Sequence, residues 1–261
     1  MEAPAPHRSN QILSIRHLSK TFHARSRNPV QAIDDVTLDV ERGEFLGIVG
    51  PSGGGKTTLL KSVAGLLPIT SGDIVLNGRT VVGPIDDVGI AFQQPVLLPW
   101  RTALDNVLLP IEMLGDNPGT KRDEALRLLQ IVGLAGFEER RPRELSGGMQ
   151  QRVALCRALI HDPPILLMDE PFGAVDEFTR EALNDHLLRL WEERQKTVLF
   201  VTHSVAESVY LSDRVAILTA RPARVVDVVR IDLPRPRRAE IRYSTAFAEH
   251  TRAIQEKLRA A

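Results

Sequence analysis

Apolar residues recur along this chain with two spacings, one typical of strands and one typical of helices. Segments 12–18 and 32–40 alternate apolar and polar residues, as half-buried strands do. Later apolar runs have the length of strands and are separated by stretches with helical spacing. The predicted later strands are 45–49, 73–76, 88–92, 165–170, 196–201, 214–218 and 225–231. This order predicts an α/β fold, with a small antiparallel sheet packed beside the main one.

Helical spacing is densest in the middle of the chain. Residues 102–114 and 120–132 have helical periodicity, and Thr120 is a plausible N-cap for the second segment. Residues 93 to about 160 therefore form a helix-rich insert inside the α/β sheet. Later helices are predicted from just after Asp176 to about 194, at 205–211 and near 245–259. The charges of the basic loop 234–238 are predicted to form a solvated face.

The composition is that of an ordinary soluble globular protein. Apolar residues make up 43% of the 261 positions, charged residues 25%, and Lys plus Arg equals Asp plus Glu at 33 each. This balance gives no sign of nucleic-acid binding, and the single cysteine, Cys156, excludes an internal disulfide. No apolar run reaches the ~18 residues of a membrane span, and 1–10 lacks a signal-peptide core. We therefore expect an intracellular chain with a disordered N-terminus.

The glycine-rich segment 50–58, GPSGGGKTT, fits the phosphate-binding pattern G-x-x-x-x-G-K-S/T. An apolar run precedes it and helical spacing follows it, which is the strand–loop–helix context that the motif requires. Glycines let backbone N–H groups surround a phosphate chain, and the helix N-terminus adds partial positive charge. Lys56 is then expected to reach the β- and γ-phosphates, and the Thr57 hydroxyl to bind Mg²⁺. A chance glycine-rich turn would not need that context.

An apolar strand that ends in two acids, ILLMDE, is the expected partner of such a loop. Asp169 would hold the Mg²⁺ shell through water, and Glu170 stands beside it. Adjacent carboxylates are costly to desolvate unless a cation compensates them. Gln93 and His203 also follow predicted strands, so all these side chains are expected on one rim of the sheet. Taken alone, His203 is more often a surface or helix-capping residue, but this company favours a site.

A second potential anion site lies at 145–152, LSGGMQQR. Ser146 can cap the helix that follows, while Gly147 and Gly148 leave its first backbone N–H groups bare. The pattern alone is weak, because many helices begin this way. Phe22, upstream of the phosphate loop, either stacks on an adenine ring or is a core residue of an edge strand.

The ordered set GPSGGGKTT, AFQQ, LSGGMQQR, ILLMDEP, GAVD and VTHS resembles the ATP-binding-cassette (ABC) ATPase family over roughly residues 12–220. The resemblance implies an α/β, P-loop NTPase (RecA-like) core sheet with an N-terminal antiparallel β subdomain and an inserted helical subdomain. It implies an ATPase domain at 11–220, with the helical insert at about 94–160, between a disordered 1–10 and a C-terminal extension at 221–261.

The resemblance also implies a role for each motif residue. Glu170 resembles the catalytic base, His203 the switch histidine and Gln93 the Q-loop glutamine. Mg²⁺ is expected at Thr57, Gln93 and Asp169. The residues expected to contact ATP are Phe22, Gly50, Pro51, Ser52, Gly53, Gly54, Gly55, Lys56, Thr57, Thr58, Ser146, Gly147, Gly148, Gln150 and Asp176. One departure is Met149, which stands where the family signature commonly has glutamine.

The run PVLLPWRTALDNV, together with LSGGMQQRVALCRALIHDPPILLMDEPFGAVD, is similar to importers of the nitrate, sulfonate and taurine type. This implies a peripheral ATPase subunit on the cytoplasmic face of the cell's inner membrane. Its implied partners are a second copy closing over two ATP molecules, transmembrane permease subunits and, indirectly, an extracytoplasmic solute-binding protein, with no nucleic acid. Trp100, in the apolar stretch VLLPW, either contacts the permease or packs within the helical insert.

Three other classes of protein fit the sequence less well. A soluble ABC ATPase of the DNA-repair or translation type usually has two cassettes or a long coiled-coil insert, and this sequence shows neither. A small-molecule P-loop kinase shares 50–58 but has no use for LSGGMQQR or His203. A non-enzymatic regulatory cassette would be expected to lack Glu170 or Lys56. The predicted function is therefore ATP hydrolysis that powers the import of a small anion, whose identity the sequence leaves open.

Overall fold

The computed structural model describes residues 10–23, 28–173 and 175–261, so residues 1–9 of the predicted disordered N-terminus lie outside the described part. The strands are β1 (Gln11–Phe22), β2 (Val30–Glu41), β3 (Phe45–Val49), β4 (Ser71–Leu76), β5 (Arg79–Thr80), β6 (Val88–Ala91), β7 (Ile165–Asp169), β8 (Thr197–Val201), β9 (Arg214–Leu218) and β10 (Val225–Arg230). The α-helices are α1 (Lys56–Val63), α2 (Ala103–Met113), α3 (Arg122–Ile131), α4 (Gly147–Leu159), α5 (Glu177–Arg194), α6 (Val205–Leu211) and α7 (Thr245–Ala260).

The central sheet has six strands in the order β10-β9-β3-β8-β7-β6. β3 pairs in parallel with β8 and β9, and β7 pairs in parallel with β8 and β6. β10 runs antiparallel at the edge beside β9. Because parallel strands end on the same side, the carboxyl ends of β3, β8, β7 and β6 meet along one edge. This edge, called the carboxyl edge below, confirms the predicted α/β arrangement.

The strands of this sheet are apolar on both faces because another layer covers each face. In β3, Phe45 and Val49 belong to a core shared with helices α2 to α7. Leu46 and Ile48 belong to a second core, which α1 and the antiparallel sheet β2-β1-β4-β5 close. Burial of these side chains, worth roughly 25 cal/mol per Å² of apolar surface, fixes the sheet and hence the carboxyl edge.

The antiparallel sheet forms beside the main sheet as predicted, but its first two strands are longer than the alternation indicated. β1 and β2 pair over their whole lengths, with several register irregularities, and the pairing ends at Phe22 opposite Val30. β1 continues four residues past the alternating segment 12–18, to Phe22. Lys20 stays in the strand because its stem is buried and its Nζ donates to the Pro68 carbonyl oxygen.

Helices α2, α3 and α4 follow one another between β6 and β7, where the helical insert is predicted. Thr102 and Asp105 form a capping box at the start of α2. The prediction that Thr120 caps the next helix is wrong. Residues Pro118–Lys121 form a 3-10 turn whose Gly119 N–H is bonded by the Asn117 side chain, and α3 begins only at Arg122. Asn117 competes better because its amide oxygen reaches the backbone two residues on.

The C-terminal residues pack against the core through β10 and α7, which contact β9 and α6. The prediction of a solvated basic face is wrong for Arg237, which is only 2% exposed. Its guanidinium donates to the carbonyl oxygens of Val209, Tyr210 and Ser212, at the end of α6, at 2.9–3.1 Å. Arg235 lies over the Trp191 ring, with its guanidinium carbon 4.0 Å from the ring centroid. Among the described residues, no helix is both long and apolar enough to cross a membrane.

Candidate nucleotide site at the carboxyl edge

The glycine-rich loop lies between β3 and α1, as its motif predicts. Gly55, which precedes α1, has a φ of 101°, and a Cβ there would lie 2.6 Å from the Ala32 carbonyl oxygen. Only glycine fits this backbone conformation and this close approach. No described side chain caps α1, so its first backbone N–H groups are free to bind an anion.

Lys56 lies inside this loop with a side chain that is 5% exposed. Its Nζ donates to the carbonyl oxygens of Gly50 and Pro51, both at 2.9 Å, and lies 3.9 Å from Glu170 Oε1. Burial lowers the pKa of Lys56, against the opposing effect of the Glu170 and Asp169 carboxylates. The ammonium group is thus held largely by neutral dipoles, which phosphate oxygens can replace with a stronger partner.

Thr57 and Asp169 form a pair suited to bind a metal ion. The Thr57 hydroxyl donates to Asp169 Oδ1 at 2.9 Å, which joins the start of α1 to the end of β7. Burial raises the pKa of Asp169; the Thr57 hydrogen bond opposes this, and the Glu170 charge adds to it. A carboxylate whose charge is costly at rest gains most when a cation arrives.

Glu170 and His203 face each other at the ends of neighbouring strands. Glu170 N–H donates to the Val201 carbonyl oxygen at 2.9 Å, which continues the pairing of β7 with β8. The His203 Nδ1 atom lies 3.2 Å from Glu170 Oε2. Glu170 has a φ of 46°, a left-handed conformation uncommon for a residue other than glycine, and such outliers cluster at functional sites.

Gln93 and Phe22 lie at the margins of the site. A Cβ on Gly173 would lie 3.7 Å from Gln93 Nε2 and 3.4 Å from the Glu170 carbonyl oxygen, so the glutamine amide lies beside the turn that follows Glu170. Phe22 is 40% exposed at the end of β1, with Lys20 Nζ 5.0 Å from its ring centroid. Of the two interpretations of Phe22, the buried core residue is the wrong one.

The LSGGMQQR segment forms the start of α4, some distance along the sheet from the phosphate loop. Ser146 caps the helix and accepts a hydrogen bond from the Met149 N–H at 3.3 Å. Gly147 is exposed, and Gly148 lies beside α5, where an added Cβ would be 3.1 Å from Thr179 Cγ2. The Gln150 amide donates to the carbonyl oxygens of Pro142 and Leu145, so within one chain it holds the turn before α4.

Asp176 caps α5 next to this segment. Its carboxylate accepts hydrogen bonds from the Thr179 hydroxyl at 2.7 Å and the Thr179 N–H at 3.0 Å, and these bonds lower its pKa. α4 packs against α2, α3 and β6, whereas the phosphate loop follows β3, which lies beyond β8 and β7 in the sheet. One chain therefore brings together Lys56, Thr57, Asp169, Glu170 and His203 and places Ser146 on a separate part of its surface.

These residues fit a magnesium nucleotide. The free N–H groups of α1 and the Lys56 ammonium suit a phosphate chain, and the Thr57 and Asp169 oxygens are hard ligands of the kind Mg²⁺ prefers. In the described part of the chain, no group of three or more His, Cys, Asp or Glu side chains is placed to hold a metal alone. Phosphate oxygens and water would have to complete the shell, as is usual for Mg²⁺.

Three residues that contact this site were given no role from the sequence: Thr202, which belongs to the VTHS motif, and Arg180 and Glu207, which lie outside every motif identified. Thr202 precedes His203, and its hydroxyl donates to the buried Glu207 carboxylate. Arg180 approaches the same carboxylate at 3.9 Å. A single sequence gives no signal for Arg180 and Glu207, because their positions on α5 and α6 become neighbours only when the helices pack.

Comparison with known proteins places these features in one family. A family profile described as "ABC transporter" matches residues 33–173. An uncharacterised ABC transporter ATP-binding protein of Methanocaldococcus jannaschii is 50% identical over 93% of this chain and 89% of its own length. The aliphatic sulfonates import ATP-binding protein of Bacillus licheniformis is 48% identical, covering 86% of this chain and 87% of its own. The taurine import ATP-binding protein of Roseobacter denitrificans is 47% identical, covering 82% and 80%.

Solved structures agree with this placement. A dimeric ATP-binding cassette in a post-hydrolysis state, bound to ADP and Pi, superimposes with a TM-score of 0.75 at 33% identity. It covers 85% of this chain and 100% of that one. The predicted P-loop NTPase core with its antiparallel sheet is thereby confirmed, while the domain boundaries at 11–220, 94–160 and 221–261 stay predictions.

Proposed function

Since this chain belongs to the ABC transporter family and is an ATP-binding ATPase subunit, we propose that it powers the import of a taurine- or sulfonate-like anion through a membrane permease. The observation that carries the catalytic part of the proposal is the convergence of Lys56, Asp169, Glu170 and His203 at the carboxyl edge. The names of the similar import subunits support the choice of solute. The DNA-repair or translation alternative has no support among them.

Each side chain at the carboxyl edge has a task in hydrolysis. Lys56 exchanges its two carbonyl partners for phosphate oxygens and neutralises charge that develops on the γ-phosphate. Glu170 accepts the proton of the attacking water, and His203, beside it, orients that water and the γ-phosphate. Gln93, next to the turn after Glu170, contacts water or the metal and reports the state of the site to the insert.

Thr57, Asp169 and Gln93 are the residues that would hold Mg²⁺. When bound, the ion would supply positive charge that neutralises the phosphates during hydrolysis. The chain's own contribution is to keep the Thr57 hydroxyl and the Asp169 carboxylate within 2.9 Å of each other before nucleotide arrives. Phe22, exposed at the end of β1, is available to stack on the adenine ring.

The separation of Ser146 from Lys56 within one chain supports a site shared by two copies. In a dimer of the kind seen for the similar cassette, Ser146, Gly147 and Gly148 of one copy would face the ATP held by the other copy. Gln150 and Asp176 would support that face, since they hold the turn before α4 and the start of α5. Two ATP molecules are then enclosed, and hydrolysis reopens the pair.

The permease is proposed to bind beside the helical insert. A groove of about 360 Å³ there is lined mainly by apolar side chains, among them Ile90, Phe92, Met113 and Leu114. Arg157, which also lines it, donates to the carbonyl oxygens of Pro95 and Val96, so the groove is tied to the segment after Gln93. Trp100 is 68% exposed on the same segment and supplies an aromatic anchor. This contact would hold the chain at the cytoplasmic face of the inner membrane, opposite an extracytoplasmic solute-binding protein.

The Glu170→Gln variant tests the catalytic part. We expect it to bind ATP–Mg²⁺ normally, to hydrolyse it roughly 10² to 10⁴ times more slowly, and to shift from monomer to dimer with ATP in light scattering. A monomer that hydrolyses ATP normally would exclude Glu170 as the base and would show that the site is complete within one chain. With permease and binding protein reconstituted in vesicles, stimulation of the wild-type ATPase by taurine but not by a similar amine that lacks the sulfonate group tests the solute class.

A further inference from the structure

A buried carboxylate on α6 links the loop that carries His203 to helix α5. Glu207 accepts a hydrogen bond from the Thr202 hydroxyl and another from the Asn184 amide at 3.4 Å, and its side chain is 9% exposed. Arg180, on α5 like Asn184, brings its Nε to 3.9 Å from Glu207 Oε1. A buried charge at this junction needs such partners, and removing one leaves the others unsatisfied.

The same arginine holds the backbone that follows Glu170. Arg180 Nη2 donates to the Val175 carbonyl oxygen at 3.1 Å, and Nε to the Phe172 carbonyl oxygen at 3.4 Å. The turn that contains these carbonyls begins at Glu170, whose left-handed backbone persists only where its surroundings hold it. Arg180 therefore contacts both the turn after Glu170 and the carboxylate that organises the His203 loop.

Thr202 completes the link on the His203 side. While it donates to Glu207, its Oγ1 accepts a hydrogen bond from the Ser204 N–H at 3.0 Å. Ser204 Oγ in turn accepts from the Glu207 N–H at 3.3 Å. His203 lies between these two bonded residues, so its backbone is fixed from both sides.

We propose that Arg180, Glu207 and Thr202 are positioning residues that keep Glu170 and His203 at a distance suited to hydrolysis. The inference rests on the proposed roles of Glu170 and His203. The three residues act through two loops and not through the phosphate loop, so turnover depends on them and ATP affinity does not. A misplacement of catalytic groups by about 1 Å lowers rates by about a hundredfold.

Two substitutions at Thr202, which is 2% exposed, distinguish the effect of its hydroxyl from the effect of its side-chain volume. Thr202→Val removes the hydroxyl and keeps the volume, whereas Thr202→Ser keeps the hydroxyl. We expect Thr202→Val to lower kcat roughly tenfold or more with the KM for ATP within about twofold of wild type, and Thr202→Ser to retain most of the turnover. Ser208→Ala is the matched control, because it removes a buried hydroxyl on α6 that donates to the Val205 carbonyl oxygen and not to the Glu207 carboxylate. The kcat of this variant should equal that of wild type.

Glu207→Gln and Arg180→Lys provide the same test should Thr202→Val fail to fold. Each is expected to lower kcat with little change in KM, and the double variant to lose less than the product of the single losses, because the residues act as one unit. The inference would be overturned if Thr202→Val kept the wild-type kcat, or if Ser208→Ala lost as much kcat as Thr202→Val. A KM for ATP that changes as much as kcat would overturn it as well.

Glu170→Gln in the same assay distinguishes failure of the inference from failure of the proposed function. If Glu170→Gln is inactive and Thr202→Val is fully active, the inference alone is wrong. If Glu170→Gln hydrolyses ATP normally, the base assignment is wrong, and the positioning role that depends on it is overturned as well.

Discussion

Asp169 shows what it costs to keep a carboxylate where a cation is proposed to bind. Burial raises its pKa above the ordinary value of 3.8, even though the Thr57 hydroxyl donates to it. A group whose pKa is higher in the folded state stabilises the fold fully below its unfolded pKa, and this contribution is lost as pH rises through the folded pKa. At neutral pH, therefore, ionised Asp169 destabilises the nucleotide-free protein.

Asp169→Asn is accordingly expected to stabilise the protein while it removes activity. The amide can still accept the Thr57 hydrogen bond but carries no charge, so the Tm without nucleotide should rise by about 2–4 °C, the shift that about 1 kcal/mol produces in a protein of this size. The gain should shrink as the pH is lowered toward 4. Scanning calorimetry at several pH values measures it, with the exposed Asp73→Asn as control. An unchanged or lower Tm would show that burial of Asp169 is already compensated.

The residue scale also shows where prediction from sequence stops. The clustering of Asp169, Glu170 and His203 could be predicted because each lies at or just after the end of an apolar strand, and parallel strands end along one edge. Lys56 could be placed there because its glycine-rich motif follows another such strand. The burial of Arg237 could not be predicted, because a run of arginines in a loop has the same sequence pattern whether it is solvated or buried. Only the carbonyl oxygens left unpaired at the end of α6 give Arg237 its place.

At the scale of elements, the N-terminus of α4 combines a structural task with a proposed functional one. Ser146 caps the helix, and losing the cap lowers folding stability by about 1 kcal/mol. Ser146→Ala would remove the cap and the proposed phosphate contact together, so its effect could not be assigned to either one. Ser146→Asp keeps an effective cap and adds a negative charge where the partner's phosphates are proposed to lie. We expect its free energy of unfolding to lie within about 0.5 kcal/mol of the wild-type value. The variant should bind ATP but lose ATP-driven dimerisation and turnover.

Ser146→Asn is the neutral control, since asparagine is also a good N-cap. It should dimerise better than Ser146→Asp when both carry Glu170→Gln and are compared by light scattering with ATP–Mg²⁺. Equal dimerisation of the two variants would indicate that no phosphate approaches Ser146.

The C-terminal segment is predicted to fasten α6 from its far end. Arg237→Met leaves the carbonyl oxygens of Val209, Tyr210 and Ser212 without their buried donor, which should lower the free energy of unfolding by about 3 kcal/mol. Urea unfolding followed by circular dichroism measures this loss. Arg238→Met, at the exposed neighbouring position, should change it by less than about 0.5 kcal/mol. Equal effects of the two changes would mean that Arg237 is not what holds this segment.

Element types were easier to predict than element ends. α6 and β9 begin and end where the pattern places them, because apolar residues stop where burial stops. β1 and β2 extend beyond their alternating cores because each strand finds a partner for its backbone along its whole length, which side-chain patterning does not reveal. The predicted start of α3 is wrong because Asn117 and Thr120 can both cap a helix. Asn117 caps a 3-10 turn over Pro118–Lys121, and α3 begins only after that turn.

At the scale of the whole molecule, the fold places the residues proposed to act in hydrolysis on two surfaces. The carboxyl edge carries Lys56 and Glu170, while Ser146 lies at the start of α4, which packs against α2, α3 and β6. If hydrolysis needs both surfaces at one ATP, no single chain is complete, and symmetry gives two shared sites per dimer. The similar cassette with ADP and Pi is dimeric, which agrees with such an arrangement.

Mixing two inactive variants tests whether the site is shared. Lys56→Met removes the phosphate-loop ammonium, and Ser146→Asp blocks the opposite face, so each homodimer should be inactive. In a mixed dimer, one site combines both defects and the other is fully wild type. Equimolar mixing should therefore restore ATPase activity up to about a quarter of the wild-type rate, since half of the dimers are mixed and each has one intact site. The restored activity should rise with total protein concentration as dimers form. If instead each chain hydrolysed ATP alone, Ser146→Asp would stay active by itself, because Ser146 lies away from Lys56 in one chain, and mixing with Lys56→Met would only dilute that activity.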